Sequence, residues 1–481
     1  MRPVLLLDVV GLTSTALADM PRLSRLARDG GRLPLDTILP AVTCSVQSTM
    51  LTGSMPAQHG IVGNGWYFRD LGEVHLWRQH NRLVTGEKVW ETARRRGGEP
   101  YRAANIGWWY AMGATTDVTV TPRPIYHADG RKSPDAYVRP PALHDELVSR
   151  FGAFPLFQYW GPTASLRSTQ WMVDATRHVL AGDGSGPPEL TTAYLPHLDY
   201  DLQRFGPDSP EARRAATELD VVLAPLLDDA EAQGASVIVV AEYGIADADT
   251  PVDVNRALRR EGLLEVYVQD GREQLDPWTS RAFAVADHQV AHVYVQDAAD
   301  LPRVRSLLEA LDGVDEVLDR EAQARYGLDH ERSGEFVVVA RPGAWFTYYY
   351  WLDDDRAPDF ARGVDIHRKP GYDPAELFFD PADPLVKAKA AGNLAKKALG
   401  LRYAMNLVPL DASLVRGTHG RLPSSSADTP LVLASDADLL PPGAASLPAT
   451  AVRDLVLAAH GPSAAGAHDQ RASRSSTIGA F

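Results

Sequence analysis

Residues 40–67 concentrate side chains that can do chemistry between two apolar segments. The stretch reads PAVTCSVQSTMLTGSMPAQHGIVGNGWY, with hydroxyls, the single cysteine, a histidine and several glycines. Its first part, 43–53, predicts a loop that turns into a helix, and the free N–H groups at a helix N-terminus favour an anion. Thr43 can therefore face a phosphate group. Asp8 ends a short strand, 4–7, and the carboxyl ends of strands in a doubly wound sheet form the ligand crevice.

Three later segments carry further polar side chains in the same setting. PHLDYDLQRFGP follows the predicted strand 190–195 and contains Asp199 and Gln203. The run ASVIVVAEYGI is typical of a fully buried parallel strand and ends in Glu242 and Tyr243. The last segment, RGTHGRL, places His419 before a glycine near the C-terminal side of the chain.

The order of these motifs resembles the alkaline phosphatase superfamily. An early strand ends in Asp8, Thr43 precedes the pair Thr52-Gly53, and Pro-x-x-His-Gly-Ile follows with an asparagine-containing turn. The branch that the chain resembles most is the nucleotide pyrophosphatase/phosphodiesterase and phosphonoacetate hydrolase group. In that group a threonine is the covalent nucleophile, and two metal ions flank it. The resemblance covers roughly residues 1–245 and 400–460.

The resemblance implies a role for each motif residue. Thr43 takes the position of the nucleophile and Asp8 that of a ligand to the metal that activates it, while Asp199 and His419 match ligands of the second metal. Three positions depart from the family pattern. Glu242 stands where the family has an aspartate ligand, and Tyr243 and Gln203 stand where it has histidines.

The departures change the metal that the site is expected to hold. Zinc prefers nitrogen and sulfur ligands, whereas oxygen donors suit Mg²⁺ or Mn²⁺. We therefore predict an oxygen-rich site for one or two divalent ions, formed by Asp8, Thr43, Glu242, Asp199 and His419, in which Mn²⁺ or Mg²⁺ serves better than Zn²⁺. The loss of one metal, or of hydrolysis altogether, are the alternative explanations of the same departures.

The function predicted from this resemblance is metal-dependent hydrolysis of a phosphate ester through a phosphothreonine. The substrate would be a phosphodiester, pyrophosphate or monoester of a small metabolite. A retained threonine at a helix N-terminus, with an aspartate at a strand end, favours an enzyme. The alternatives are a catalytically weak protein that binds a phosphorylated ligand and a hydrolase of phosphonate C–P bonds.

Substrate contacts are predicted from six side chains. Gln47 lies one residue from the family's oxygen-stabilising asparagine, and Asn64 belongs to the turn after the nucleophile segment. Aromatic rings after a strand can stack on a base or pack in the core. His367 and Lys369 lie close to acids in sequence, and the alternative for His367 is a structural or surface histidine. The candidates are Gln47, Asn64, Trp108, Trp109, His367 and Lys369.

Composition limits the class of protein. The chain of 481 residues has 45% hydrophobic and 23% charged residues, as soluble globular proteins do. Its 48 basic and 62 acidic residues give a formal charge of −14, which argues against a nucleic-acid polymer as partner. No apolar run reaches about 18 residues, so no membrane span is expected. The N-terminus lacks a signal-peptide pattern, and the expected location is the cytoplasm.

The elements that must position these residues form an α/β fold. We predict a doubly wound, mostly parallel sheet with helices on both faces and a smaller α+β cap insertion. The core is expected in 1–246 and 346–461, the cap in 247–345 and a disordered tail in 462–481. Residues 113–165, rich in Pro, Gly and aromatics, predict long surface loops.

Overall fold

The computed structural model describes residues 1–97, 100–129, 131–182, 186–398 and 405–461. The predicted disordered tail, 462–481, lies outside this range. The strands are β1 (Val4–Val9), β2 (Gly31–Asp36), β3 (Gly65–Phe68), β4 (Glu73–Leu76), β5 (Ala103–Ile106), β6 (Val118–Pro122), β7 (Ile125–Tyr126), β8 (Lys132–Ser133), β9 (Ala136–Arg139), β10 (Leu190–Leu195), β11 (Ser236–Val240), β12 (Ala246–Val252), β13 (Val266–Gln269), β14 (Arg272–Leu275), β15 (Ala282–Asp287), β16 (Val290–Val295), β17 (Val314–Leu318), β18 (Phe336–Ala340), β19 (Gly343–Phe346), β20 (Gly417–Thr418), β21 (Leu431–Ala434) and β22 (Leu447–Pro448).

The α-helices are α1 (Ser14–Ala18), α2 (Pro21–Asp29), α3 (Thr43–Thr52), α4 (Pro56–His59), α5 (Val89–Arg96), α6 (Pro141–Phe151), α7 (Leu166–Ala181), α8 (His197–Phe205), α9 (Pro210–Ala232), α10 (Val254–Arg260), α11 (Leu301–Glu309), α12 (Arg320–Arg325), α13 (Val386–Ala398) and α14 (Val452–Ala459). Two groups of helices accompany the largest sheet. Helices α2, α7 and α8 pack on α9, and α3 and α5 pack on α14. In the part of the chain that the structure describes, no helix is long and apolar enough to cross a membrane.

A nine-stranded sheet positions the polar motifs. Its order is β22-β2-β21-β11-β1-β10-β5-β6-β9. The central strands β11, β1, β10, β5 and β6 are all parallel, whereas β21 and β9 pair antiparallel with their neighbours. Strands β1, β10 and β11 are buried along their whole length, as parallel strands covered on both faces are. The α/β fold with a mostly parallel sheet is therefore confirmed.

The sheet extends into the segment that predicts surface loops. Strands β6 and β9 add two strands to its edge, and α6 follows β9 directly. The prediction of loops throughout 113–165 is therefore wrong. These strands are short, and β6 both begins and ends with half-buried residues, so the sequence carries little of the alternation that marks a strand.

A smaller antiparallel sheet, β15-β16-β18-β17, lies in the predicted cap. Strands β16 and β17 both pair antiparallel with β18, so they run in the same direction on either side of it, with α11 connecting them. This is the split βαβ arrangement that the sequence pattern predicts. The hydrophobic core beneath this sheet also includes residues from 39–84 and 344–372. The cap therefore shares a core with segments outside 247–345, whose boundaries stay a prediction.

Candidate active site

Thr43 begins α3, the helix after the cis Leu39-Pro40 bond, and is almost fully buried. Val42, whose side chain has no polar atom, precedes it in an extended conformation. The next backbone N–H, that of Cys44, donates to the Asn64 side-chain oxygen over 3.0 Å. The Thr43 hydroxyl oxygen lies 3.2 Å from the Tyr243 phenol oxygen. The hydroxyl therefore lies at the positive end of a helix, where negative charge is stabilised.

The ends of three neighbouring strands bring the acidic residues to Thr43. Asp8 pairs in register with Val240 of β11 and Tyr194 of β10, so residues after those strands lie beside it. Glu242 follows β11, and Asp199 lies in the first turn of α8 after β10. Parallel strands present their carboxyl ends at one edge, and this is why residues distant in sequence meet.

Asp8 and Glu242 form a buried carboxylate pair. The Gln47 amide donates to one oxygen of Asp8 over 2.9 Å. The other oxygen of Asp8 and both oxygens of Glu242 find no hydrogen-bond partner among the described residues. Burial raises the pKa of Asp8 to about 6. Burial, and then the charge of Asp8, raises the pKa of Glu242 well above its usual value, although the nearby Thr43 hydroxyl lowers it.

This pair fits a hard divalent cation. Two adjacent buried carboxylates need either a proton or a cation to offset their charge. Their three unpartnered oxygens and the Thr43 hydroxyl are the donor type that Mg²⁺ and Mn²⁺ prefer, with water or substrate oxygens completing the coordination. Zinc sites use three or four protein ligands. In the described ranges, no three His, Cys, Asp or Glu side chains are placed to hold one ion, so zinc does not fit.

Asp199 belongs to a second group of polar side chains. Gln203 lies one helical turn further along α8, on the same face, and its amide donates to Asp199 over 2.8 Å. The other end of that amide accepts from the Tyr372 hydroxyl over 3.0 Å. Burial raises the pKa of Asp199 to about 7, while the Gln203 hydrogen bond lowers it.

His419 completes this second group. Its Nδ1 lies 2.8 Å from the carbonyl oxygen of Ala41, which can only accept, so Nδ1 carries the proton. Its Nε2 lies 4.0 Å from an oxygen of Asp199, and neither atom has a hydrogen-bond partner within the described ranges. Burial, and then the neighbouring His288, lowers the pKa of His419 well below its usual value. The imidazole is therefore neutral and faces a carboxyl group across a gap.

Four buried rings form a continuous stack through the site. Tyr243 lies parallel to His419 with ring centroids 3.5 Å apart, His288 lies 3.7 Å beyond, and Tyr372 follows at 3.6 Å. His288 lies in the two-residue turn between β15 and β16, with a left-handed φ of 59°. The small antiparallel sheet thus contributes a ring to the centre of the site.

Asp287, next to His288, connects the same turn to the nucleophile helix. Its carboxylate accepts from His288 Nδ1 over 2.8 Å and from the side-chain and backbone N–H groups of Asn64. Asn64 in turn accepts from the Cys44 N–H. Both ends of the Asn64 amide are therefore bonded within the protein, and Asn64 positions the first turn of α3.

The remaining predicted substrate residues lie in different environments. Both ends of the Gln47 amide are occupied, by Asp8 and by the Trp109 backbone N–H. Trp108 is fully buried in the main core. Trp109 is half-buried and lies 4.8 Å from Trp77, which lies 6.2 Å from Tyr372. Of the two tryptophans, Trp109 is the one that a ligand can approach.

Lys369 and His367 do not join the groups around Thr43. Lys369 is buried, with its ammonium 2.7 Å from both Asp373 and Glu376. His367 is exposed, and its Nδ1 lies 3.4 Å from the Leu76 carbonyl oxygen. The ammonium of Lys369 thus pairs with protein carboxylates, and a substrate cannot use it in this structure.

Sequence reasoning missed several residues of the site. Trp77 and Tyr372 lie in segments without a recognisable motif. The one available signal was Asp287-His288, because a two-residue turn between strands usually holds Gly, Asn or Asp, and a histidine there is unusual. The missed residues are Trp77, Asp287, His288 and Tyr372.

Comparisons with known proteins agree with this geometry. The family model of type I phosphodiesterases / nucleotide pyrophosphatases matches residues 4–373. An uncharacterised pyrophosphatase/phosphodiesterase of Schizosaccharomyces pombe is 25% identical over 276 residues, which are 55% of this chain and 47% of the relative. The chain thus spans about half the length of that curated relative.

Solved structures show the same fold over nearly the whole chain. A phosphonoacetate hydrolase of Sinorhizobium meliloti, in complex with phosphonoformate, has a TM-score of 0.60 at 16% identity, covering 95% of this chain and 96% of that one. An inactive form of murine ectonucleotide pyrophosphatase/phosphodiesterase 5, in complex with AMP, has a TM-score of 0.58 at 14% identity, covering 96% of each chain. At such identities the similarity demonstrates a shared fold.

Proposed function

The chain belongs to the type I phosphodiesterase / nucleotide pyrophosphatase family, whose members are hydrolases acting on phosphorus esters, and we propose that it cleaves a small phosphate ester through a phosphothreonine at Thr43. The expected cytoplasmic location remains a prediction. One observation carries the proposal. The Thr43 hydroxyl begins a helix beside the buried pair Asp8 and Glu242, whose carboxylates have three unpartnered oxygens within the described ranges.

The residues suit in-line attack on phosphorus. The Thr43 oxygen forms the new bond to phosphorus while the bond to the leaving oxygen breaks, and the Thr43 proton passes to the Glu242 carboxylate, whose raised pKa makes it a better base. Glu242 returns that proton to the leaving oxygen. Water then attacks the phosphothreonine and restores Thr43. The N-terminus of α3 stabilises negative charge on the phosphoryl oxygens throughout.

A divalent ion is proposed as the cofactor of this site. Asp8, Glu242 and Thr43 would hold it through oxygen, and Mg²⁺ or Mn²⁺ suit this donor set better than Zn²⁺. When bound, such an ion lowers the pKa of the threonine hydroxyl and offsets phosphoryl charge. Tyr243 keeps its proton, since burial raises its pKa well above the usual value, and it orients the Thr43 hydroxyl by hydrogen bonding.

The aromatic side chains favour a substrate that carries a ring. Trp77 and Trp109 are both half-buried and lie 4.8 Å apart, next to Tyr372. A base or another flat group stacks well on such rings. The AMP bound by the murine structural relative is a ligand of this kind. We therefore propose a nucleotide-like ester as the substrate, with a phosphonate as the second candidate because the Sinorhizobium meliloti relative is a phosphonoacetate hydrolase.

A ligand-binding protein with weak catalysis is the alternative from another class. The amides of Gln47, Asn64 and Gln203 are all bonded within the protein, which leaves fewer groups free to act on a substrate. Binding of AMP without turnover would favour this alternative.

Trapping of the covalent intermediate tests the proposal. The full chain is incubated with Mn²⁺ and bis(p-nitrophenyl) phosphate, p-nitrophenyl phosphate, a dinucleotide or phosphonoacetate, quenched in acid and analysed by peptide mass spectrometry. Phosphate on Thr43, absent from Thr43→Ala, is the expected result. Ser45→Ala is the matched control, because Ser45 is a buried hydroxyl in the same helical turn. Full turnover by Thr43→Ala would refute the mechanism.

A further inference from the structure

We infer that the chain binds one divalent cation, between Asp8 and Glu242, and that the second cation position implied by its family is closed by the chain's own side chains. The inference rests on the proposed function in that it assigns the number of cations at the same site. Its argument uses the free donor atoms on either side of Thr43. The two sides differ in how many such atoms they offer and in how the surrounding groups are fixed.

The Gln203 amide closes the second position from one side. Its nitrogen donates to one oxygen of Asp199, and its oxygen accepts from Tyr372. A cation would need a lone pair where the amide nitrogen points, and that nitrogen has none to offer. Turning the amide over would break both hydrogen bonds, and the buried Tyr372 hydroxyl would lose its acceptor.

The ring stack fixes the imidazole on the other side. His419 has Tyr243 at 3.5 Å on one side and His288 at 3.7 Å on the other, so its ring cannot swing toward a new ligand. Its Nε2 and an oxygen of Asp199 are unpartnered in the described ranges but lie 4.0 Å apart. Two donors are fewer than the three or four that protein zinc sites use.

His288 does not supply the missing donor. Its Nε2 is buried and lacks a partner within the described residues. Its ring, however, stacks on His419 and on Tyr372, whereas imidazoles that bind one ion aim their nitrogens at a common point. No three His, Cys, Asp or Glu side chains of the described ranges surround a single point. The stack thus fills this half of the site with packed rings.

The side of Asp8 and Glu242 offers what the other side lacks. Three carboxylate oxygens there have no partner in the part of the chain that the structure describes, and the Thr43 hydroxyl lies beside them. Two carboxylates together balance the charge of one divalent ion. Mg²⁺ and Mn²⁺ commonly bind through one or two carboxylates and keep several waters. One ion therefore satisfies this pair, and a second ion has no comparable set of donors.

Manganese binding without substrate tests the inference. The full chain is freed of metal with a chelator and titrated with MnCl₂, and bound Mn²⁺ is counted by isothermal calorimetry and electron paramagnetic resonance. One equivalent with the spectrum of an isolated ion is expected, because two ions about 4 Å apart would couple magnetically. Glu242→Gln and Asp8→Asn should each weaken binding by about tenfold or more, whereas His419→Ala should change the affinity by less than about threefold.

Each outcome decides the inference. Two equivalents, a coupled spectrum, no bound Mn²⁺, or binding that depends on His419 and not on Glu242 would overturn it. Circular dichroism shows whether each variant is folded, and Asp8→Asn replaces Glu242→Gln if the latter does not fold. The count is independent of turnover. One bound ion without hydrolysis would refute the proposed function and leave the inference intact, and hydrolysis with two bound ions would do the reverse.

Discussion

The phenol oxygen of Tyr243 lies 3.2 Å from the hydroxyl oxygen of Thr43. Burial raises the pKa of Tyr243 well above its usual value, so the phenol keeps its proton at neutral pH. A histidine at this position, as the family pattern has, would offer a lone pair to a cation. The tyrosine instead offers a hydrogen bond to the nucleophile and a flat ring to His419. One substitution thus changes both the coordination and the packing of the site.

Tyr243→Phe should slow turnover without unfolding the protein. The phenylalanine ring keeps the contact with His419 and removes the hydrogen bond that orients Thr43. We expect kcat to fall by about 10- to 100-fold, with KM little changed. Steady-state kinetics with bis(p-nitrophenyl) phosphate provides the measurement, and thermal unfolding provides the control for the fold. An unchanged kcat would show that the phenol has no part in positioning Thr43.

Trp109→Leu should weaken binding of a substrate that carries an aromatic ring. Stacking of one base on one aromatic side chain contributes about 1–3 kcal/mol, so KM for a nucleotide ester should rise about tenfold. KM for phosphonoacetate should change little, because that substrate has no ring to stack. Trp278→Leu is the matched control, since Trp278 is exposed and stacks on Tyr267. Equal changes with both substrates would show that Trp109 does not contact the ring.

The central sheet and its polar edge were predictable from the sequence because they rest on local patterns. The continuous apolar runs of β1 and β11 identify buried parallel strands, and Asp8 and Glu242 follow them directly. The edge strands β6 and β9 were missed because short strands with one covered face carry little periodic signal.

The partners of each site residue could not be predicted in the same way. Asp287 lies 223 residues from Asn64, and Tyr372 lies 169 residues from Gln203, so both hydrogen bonds depend on how the small sheet packs on the large one. Lys369 and the nearby acids suggested a substrate contact. In the fold, one helical turn brings Asp373 under the ammonium, and the charges satisfy one another.

Lys369→Met should destabilise the fold and leave substrate recognition unchanged. It would leave Asp373 and Glu376 buried without their cation, and breaking a buried ion pair costs about 3–5 kcal/mol. Urea unfolding provides the measurement. The variant Lys369→Met/Asp373→Asn/Glu376→Gln should recover much of the loss, because the buried charges are then removed together. A raised KM with unchanged stability would instead restore Lys369 as a substrate contact.

Asp199→Asn should stabilise the metal-free protein, and by more at high pH than at low pH. Burial raises the pKa of Asp199 from 3.8 to about 7, so the folded state holds its proton more tightly than the unfolded chain does. The folded protein therefore loses stability as the pH rises from about 4 to about 7, since the unfolded chain releases this proton first.

Asparagine does not titrate and still accepts from the Gln203 amide. The difference in free energy of unfolding between Asp199→Asn and the unaltered protein should thus grow from pH 4.5 to pH 8, by up to roughly 4 kcal/mol. Urea unfolding in the presence of a chelator, at several pH values, measures this difference. The carboxylate of Asp228 is exposed, and Asp228→Asn serves as the control with no expected pH dependence. A pH-independent difference at Asp199 would show that this carboxyl is already ionised in the folded protein, with a positive charge or a cation beside it.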